Sequence, residues 1–121
     1  ESMFTKQAVC LSTAAGAGTR QTNRDLAHST FFWGVGRTYR YGVNVRSTSW
    51  QGVDPRRRER IRADLTVLAR KITRRVGKVR PGWRTKGFFH LVRRLQKGEW
   101  NQADRAYWQE KGWDGGVRPW R

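Results

Sequence analysis

The chain has 121 residues, of which 36% are hydrophobic and 12% aromatic, and its 26 Lys and Arg against 9 Asp and Glu give a formal net charge of +17. This length indicates one domain (residues 1–121), and so large a positive charge favours a polyanionic partner. Because Cys10 is the single cysteine and no run approaches the roughly 20 apolar residues of a membrane span, an internal disulfide, a cysteine zinc site and a transmembrane helix are excluded, and a cytoplasmic location is expected.

The first 28 residues are predicted to be a partly flexible N-terminal segment. Residues 5–12 contain a short apolar run around Cys10, consistent with a strand. Residues 13–24 are small and polar and show no hydrophobic period, which indicates a loop or a mobile arm.

Residues 30–49 are predicted to form an antiparallel β-hairpin. Apolar and polar residues alternate from Tyr39 to Arg46, which is typical of a strand with one buried face. Phe31, Trp33 and Val35 form a matching set before them, and the glycines at 34 and 36 are suited to the turn. Arg40 and Arg46 then lie on the outer face of the hairpin.

Residues 54–77 carry the clearest helical signal. Asp54 is a suitable N-cap, Pro55 fits the first helical position and Gly77 can end the helix. An apolar stripe recurs with helical spacing, and cations occupy the other side. The stripe consists of Ile61, Leu65, Leu68, Ile72 and Val76.

Two further helices are predicted over residues 84–97 and 101–111. The buried stripe of the first is predicted to contain Phe88, Leu91, Val92 and Leu95. Asn101 can cap the second, and Trp100 can pack against its first turn. Residues 112–121 form a tail without a period. The predicted fold class is therefore α+β, a small antiparallel hairpin or sheet in the N-terminal half packed on about three α-helices in the part spanning 54–111.

Positive charge is concentrated in the helical part. Residues 55–97 hold 16 Lys and Arg against Glu59 and Asp64, whereas solvated helix faces usually mix both signs. Such a surface suits the phosphates of nucleic acid, and aromatic side chains beside arginine can stack on unpaired bases. The predicted contact residues are Arg56, Arg60, Arg70, Lys71, Arg74, Arg75, Lys86, Arg93, Arg94 and Lys97 on the helices, with Arg40, Arg46 and Trp50 before them.

Catalysis is the first alternative. His90 has Lys86 and Arg94 one turn away on either side, an environment that lowers its pKa and could serve a metal-independent ribonuclease of the toxin type. No cluster has metal-ligand spacing, and no cofactor is indicated. The sequence from Gly34 to Thr38 lacks the Lys-Ser/Thr ending of a phosphate loop.

The sequence predicts a small, non-enzymatic protein that binds nucleic acid, either DNA or RNA. Its basic and aromatic composition is shared by ribosomal proteins, small phage-encoded regulators and toxin domains. The other alternative is an interaction protein whose partner is an acidic protein.

Overall fold

The computed structural model describes residues 2–98 and 101–121. A β-α-β unit opens the fold, and three α-helices follow it. The elements are, in chain order, a short 3-10 helix Met3–Thr5, β1 Gln7–Ala14, α1 Thr19–Phe32, β2 Arg37–Asn44, α2 Pro55–Thr73, α3 Trp83–Leu95 and α4 Gln102–Glu110.

The two strands form a parallel sheet. The register runs from Gln7 opposite Arg37 to Ala14 opposite Asn44, and α1 supplies the crossover that parallel strands need. The predicted antiparallel hairpin over residues 30–49 is therefore wrong, although the α+β class is consistent with the structure. The loop predicted over residues 13–24 is confined to residues 15–18, because β1 extends to Ala14 and α1 begins at Thr19.

Gly34 explains the error in the hairpin. It has φ +78° and ends α1 rather than turning a hairpin. Its N–H donates to the carbonyl of Phe31 (2.9 Å), and the N–H of Val35 donates to the carbonyl of Thr30 (3.0 Å). This pair of bonds is a Schellman motif, so the alternation of Phe31, Trp33 and Val35 belongs to a helix end.

The helices α1 and α2 contact opposite faces of the sheet. On one face, the hydroxyls of Thr30 and Thr38 lie 2.8 Å apart. On the other face, the Tyr41 hydroxyl donates to Asp64 of α2 (3.4 Å). Side chains alternate along β2, so neighbouring residues of one strand serve these two different surfaces.

The start of α2 is as predicted, but its apolar stripe is only partly buried. Asp54 accepts a hydrogen bond from the N–H of Arg57 (3.1 Å), as an N-cap does. Within the stripe, Ile61 is buried, whereas Leu65 is 37% and Val76 66% exposed. The helix ends at Thr73, and turns carry the chain on to Gly77.

In α3 the buried face differs from the predicted one. Phe89 and Thr85 are buried, whereas Leu91 and Leu95 are exposed. The predicted stripe therefore misses the residue at the centre of the face. In α4, Asn101 accepts from two backbone N–H groups, which confirms the predicted cap; the predicted contact of Trp100 lies outside the described residues.

An aromatic cluster around Phe89 holds the C-terminal part together. The Phe89 ring is stacked on Trp108 and meets Trp120 edge-on, both with centroids 5.0 Å away. Phe4 of the N-terminal segment joins the cluster at 5.6 Å, and Trp113 completes it at 6.1 Å. The tail and the N-terminal segment therefore pack on α3 and α4.

Among the described helices, none combines the length and apolar character needed to cross a bilayer.

Candidate nucleic-acid interface

The predicted contact residues are spread over several surfaces. Those of α2 and the turn after it are exposed, as are Arg40, Arg46, Trp50, Arg94 and Lys97, whereas Lys86 and Arg93 are partly buried. Arg46 follows β2 with φ +52°. The guanidinium of Arg62 lies 5.9 Å from the Trp50 ring. The structure therefore leaves most of these cations open to solvent without gathering them at one site.

Two predicted residues of α3 are engaged with the tail. The Arg93 guanidinium donates to the carbonyl of Gly115 (3.1 Å), which also accepts from Arg118 (2.8 Å). The ammonium group of Lys86 lies 5.9 Å from the Trp120 ring. These contacts give Lys86 and Arg93 a role in fixing the tail on α3.

A cleft between α2 and β2 brings Arg56 and Arg60 together. Its volume is about 340 Å³, and its wall also contains Asp54 and Asp64. Burial, reinforced by the charge of Asp64 and the hydrogen bond to it, raises the pKa of Tyr41, so its phenol remains a neutral donor. Arg57 also lines the cleft, so two carboxylates face three guanidinium groups and offset most of the positive charge, which makes this cleft a poor place for a phosphate.

A second region, the α1–β2 groove, has a different charge. Three adjoining clefts share Arg40 and together run from the amino end of α1 to the amino end of α3. The lining residues that bear charge or a ring are Arg20, Arg24, His28, Phe31, Arg37, Arg40, Trp83 and Arg84. Among the residues that the structure describes, no carboxylate lines these three clefts. Five arginines therefore line the groove, of which only Arg40 is predicted from the sequence. One of the five, Arg37, has its guanidinium 5.7 Å from the Tyr39 ring, on the side of the sheet that faces α2.

The arginines of the groove are available for a ligand. None of them pairs with the carboxylate of a described residue. Among the described residues, the ion pair that is observed joins Lys111 to Glu110 (2.9 Å), away from the groove. The Arg84 guanidinium lies 5.9 Å from the Phe31 ring, which places it over the wall of the groove. An exposed guanidinium without a carboxylate partner can form paired hydrogen bonds to a phosphate.

Both helix ends at the groove add partial positive charge. The N-cap positions of α1 and α3 are Gly18 and Gly82, neither of which provides a side-chain cap. The first turns of both helices contain no acidic residue. Their free N–H groups and helix dipoles therefore favour an anion at each end of the groove.

An exposed aromatic ring stands at the α3 end. Trp83 is 83% exposed and lines the largest of the three clefts, of about 510 Å³, together with His28 and Arg84. Trp113 and Trp120 belong instead to the aromatic cluster around Phe89. Trp83 is therefore better placed than either of them to stack on a base.

The two histidines lie in different environments. His28 lines the groove, whereas His90 packs edge-on against Phe89 and Trp120. Desolvation, followed by the positive charges of Arg118 and Arg93, holds the pKa of His90 below its usual value. The sequence also predicts a lowered pKa for His90, but it attributes the effect to Lys86 and Arg94 rather than to Arg118 and Arg93. Among the described residues, no group of three His, Cys, Asp or Glu could hold a metal ion.

Sequence reasoning missed most of the groove because its residues come from separate elements. Arg20, Arg24 and His28 lie on α1, which has no hydrophobic period to reveal it as a helix. The usable signal was the sequence Gly16-Ala17-Gly18 between an apolar run and Thr19, a strand–turn–helix context in which helix N–H groups become free. Comparisons of the chain with protein-family models, with curated proteins and with solved structures gave no match.

Proposed function

We propose that this protein binds single-stranded nucleic acid, without catalysing a reaction on it, through the α1–β2 groove. The observation that carries this proposal is the lining of the groove: five arginines, two uncapped helix amino ends and no carboxylate from a described residue. A polyanion is the ligand class that such a surface attracts most strongly.

The dimensions of the groove suit several consecutive phosphates. Its floor follows α1, whose 14 residues span about 20 Å at about 1.5 Å per residue. Arg20 and Arg24 are one turn apart on this helix, and Arg40 lies beside them on β2. One strand can therefore contact several cations in turn, while Trp83 offers a ring to a base at the far end.

The cations of α2 have a secondary place in this proposal. Because α1 and α2 contact opposite faces of the sheet, Arg56 and Arg60 do not border the groove. They and the other exposed cations of α2 raise the potential around the whole molecule and accelerate the encounter with a polyanion. An acidic protein would feel the same field, but a surface for it would not need an exposed tryptophan.

The test compares two triple variants that remove equal charge. The groove variant carries Arg20→Gln, Arg24→Gln and Arg40→Gln; the α2 variant carries Arg56→Gln, Arg60→Gln and Arg70→Gln. All six side chains are exposed, so both proteins should fold. Fluorescence anisotropy with a labelled single strand, measured from low to moderate salt, gives the affinity and its salt dependence.

We expect the groove variant to lose at least about 100-fold in affinity, at about 1 kcal/mol or more for each charge-assisted contact. The slope of log K against log salt should become shallower by about 2, since each lost phosphate contact on a single strand contributes about 0.7. The α2 variant should lose much less. Equal losses would contradict a specific groove, and no binding by the unmodified protein at low salt would refute the function.

A further inference from the structure

The amino end of α1 has the structure of a site for one phosphate group. The chain leaves β1 at Ala14, passes Gly16 and Gly18, and enters α1 at Thr19. The first intrahelical bond joins the N–H of Thr22 to the carbonyl of Gly18 (3.1 Å). Three residues lie between them: Thr19, Arg20 and Gln21. Their N–H groups have no acceptor within the helix and point out of its amino end.

The approach to these N–H groups is open. Gly18 has φ +106°, and neither it nor Gly16 has another group within 4 Å of where a side chain would begin. A ligand can therefore come close to the backbone, as a phosphate does at a glycine-rich loop before a helix.

Asn23 gives a second and independent indication of a ligand. It is 4% exposed and lines the cleft formed with Thr19, Arg20, Arg40 and Gly42. Its Oδ1 accepts no hydrogen bond from a described residue. A buried acceptor without a donor is unfavourable in the free protein, and a hydroxyl or amino group of a bound ligand would satisfy it.

Gly42 leaves the space in which this amide lies. A Cβ at position 42 would come within 2.9 Å of both Asn23 Nδ2 and Thr19 Cβ. The glycine in β2 thus lets the amino end of α1 sit close to the strand. The result is a cleft with backbone donors at its edge and the Asn23 amide at its base.

The charge around the cleft fits a terminal phosphate better than an internal one. Arg20, Arg24 and Arg40 surround the amino end of α1 together with Gly18. Asp25, the acidic residue of α1, is held by Gln21, whose Nε2 donates to both of its carboxylate oxygens (2.9 and 3.0 Å). A phosphomonoester carries about −1.5 to −2 charges and three acceptor oxygens at pH 7, whereas a diester carries one charge.

We propose that the amino end of α1 binds a sugar phosphomonoester, and that its natural source is the 5′ end of the strand held in the groove. The phosphate receives the N–H groups of α1 and the guanidinium groups of Arg20, Arg24 and Arg40. A rotation of the Asn23 amide about its last side-chain bond lets its Oδ1 accept from a hydroxyl of the terminal sugar. This inference rests on the proposed function, because the strand continues from that end along the groove.

The experiment measures binding of two RNA oligonucleotides of equal sequence, one with a 5′-phosphate and one with a 5′-hydroxyl, each labelled at the 3′ end. We expect the unmodified protein to prefer the phosphorylated strand by about tenfold, the effect of one added charge-assisted contact. Arg24→Gln should bring this ratio close to one, whereas Asn23→Leu, which loses a contact to a sugar hydroxyl that both strands carry, should weaken the binding of both. Arg105→Gln, on α4, should leave the ratio unchanged.

A ribonucleoside 5′-monophosphate, added as a competitor, distinguishes the two sources. Weak competition by the nucleotide together with a preference for the phosphorylated strand supports the strand end. If the nucleotide binds tightly and neither strand does, with the same dependence on Arg24, the phosphomonoester site stands and the proposed function fails. Equal binding of the two strands overturns the phosphomonoester site and leaves the groove as a binding surface. Circular dichroism checks that Asn23→Leu and Arg24→Gln are folded.

Discussion

Asn23 lies between α1 and β2 with 4% of its surface exposed, and its Oδ1 accepts no hydrogen bond from a described residue. A buried polar group left without a partner costs about 1–3 kcal/mol of stability. Leucine has the same number of side-chain heavy atoms and the same branching at Cγ, so it can place apolar atoms in the same space. If Asn23 is kept because it binds a ligand and not because it stabilises the fold, replacing it with an apolar residue should increase the stability of the free protein.

We expect Asn23→Leu to raise the free energy of unfolding by about 1 kcal/mol, because it removes the unsatisfied acceptor. Urea denaturation followed by tryptophan fluorescence measures this change. The control is Asn101→Leu, which loses the cap of α4 and should lower stability by about 1 kcal/mol. A loss of stability in Asn23→Leu would show that the amide supports the fold.

At the scale of elements, two glycines allow the effect of helix propensity on stability to be measured apart from the effect of close packing. Gly87 is exposed in α3, and no atom lies within 4 Å of where its Cβ would be. Gly36 precedes β2, and a Cβ there would overlap the carbonyl oxygen of Phe4 and lie 2.8 Å from the side chain of Val79. One position gains from alanine, whereas the other has no room for it.

We expect Gly87→Ala to stabilise the protein by about 0.5–1 kcal/mol, since glycine in a helix interior is less favourable than alanine by that amount. Gly36→Ala, with the same change in composition, should destabilise it because the N-terminal segment must move. Thermal unfolding monitored by circular dichroism ranks both against the unmodified chain. If Gly87→Ala left the midpoint unchanged or lower, α3 would not be a regular helix at that position.

The sequence predicts three of the four α-helices in the described part of the chain and misses the first for a physical reason. Caps and apolar spacing mark α2, α3 and α4, whereas the buried residues of α1 are Asn23 and Thr30, both polar. A helix that buries polar groups shows no hydrophobic period. Without α1, β2 has no visible parallel partner, so the nearby apolar residues suggest a hairpin. The groove is then lost as well, because α1 forms its floor.

At the scale of the whole molecule, a thin core supports a large charge. The buried apolar residues among those described are Cys10, Val35, Val53, Ile61, Val79 and Phe89. Phe32, Trp33 and Trp83 are each more than half exposed. A net charge of +17 adds repulsion between cations that this core must withstand. Neutralising the cations should therefore stabilise the fold, whether by salt or by a bound polyanion.

We expect a single-stranded oligonucleotide at about 100 times its Kd to add about 2.7 kcal/mol to the free energy of unfolding, because it binds the folded protein. For a chain of this size the melting midpoint should rise by about 10 °C. An uncharged strand analogue of the same base sequence should produce a much smaller rise, since it lacks phosphates. The groove variant, Arg20→Gln with Arg24→Gln and Arg40→Gln, should lose most of the rise while still being stabilised by sodium chloride. If the oligonucleotide stabilised this variant as much as the unmodified protein, the effect would come from diffuse charge neutralisation and not from the α1–β2 groove.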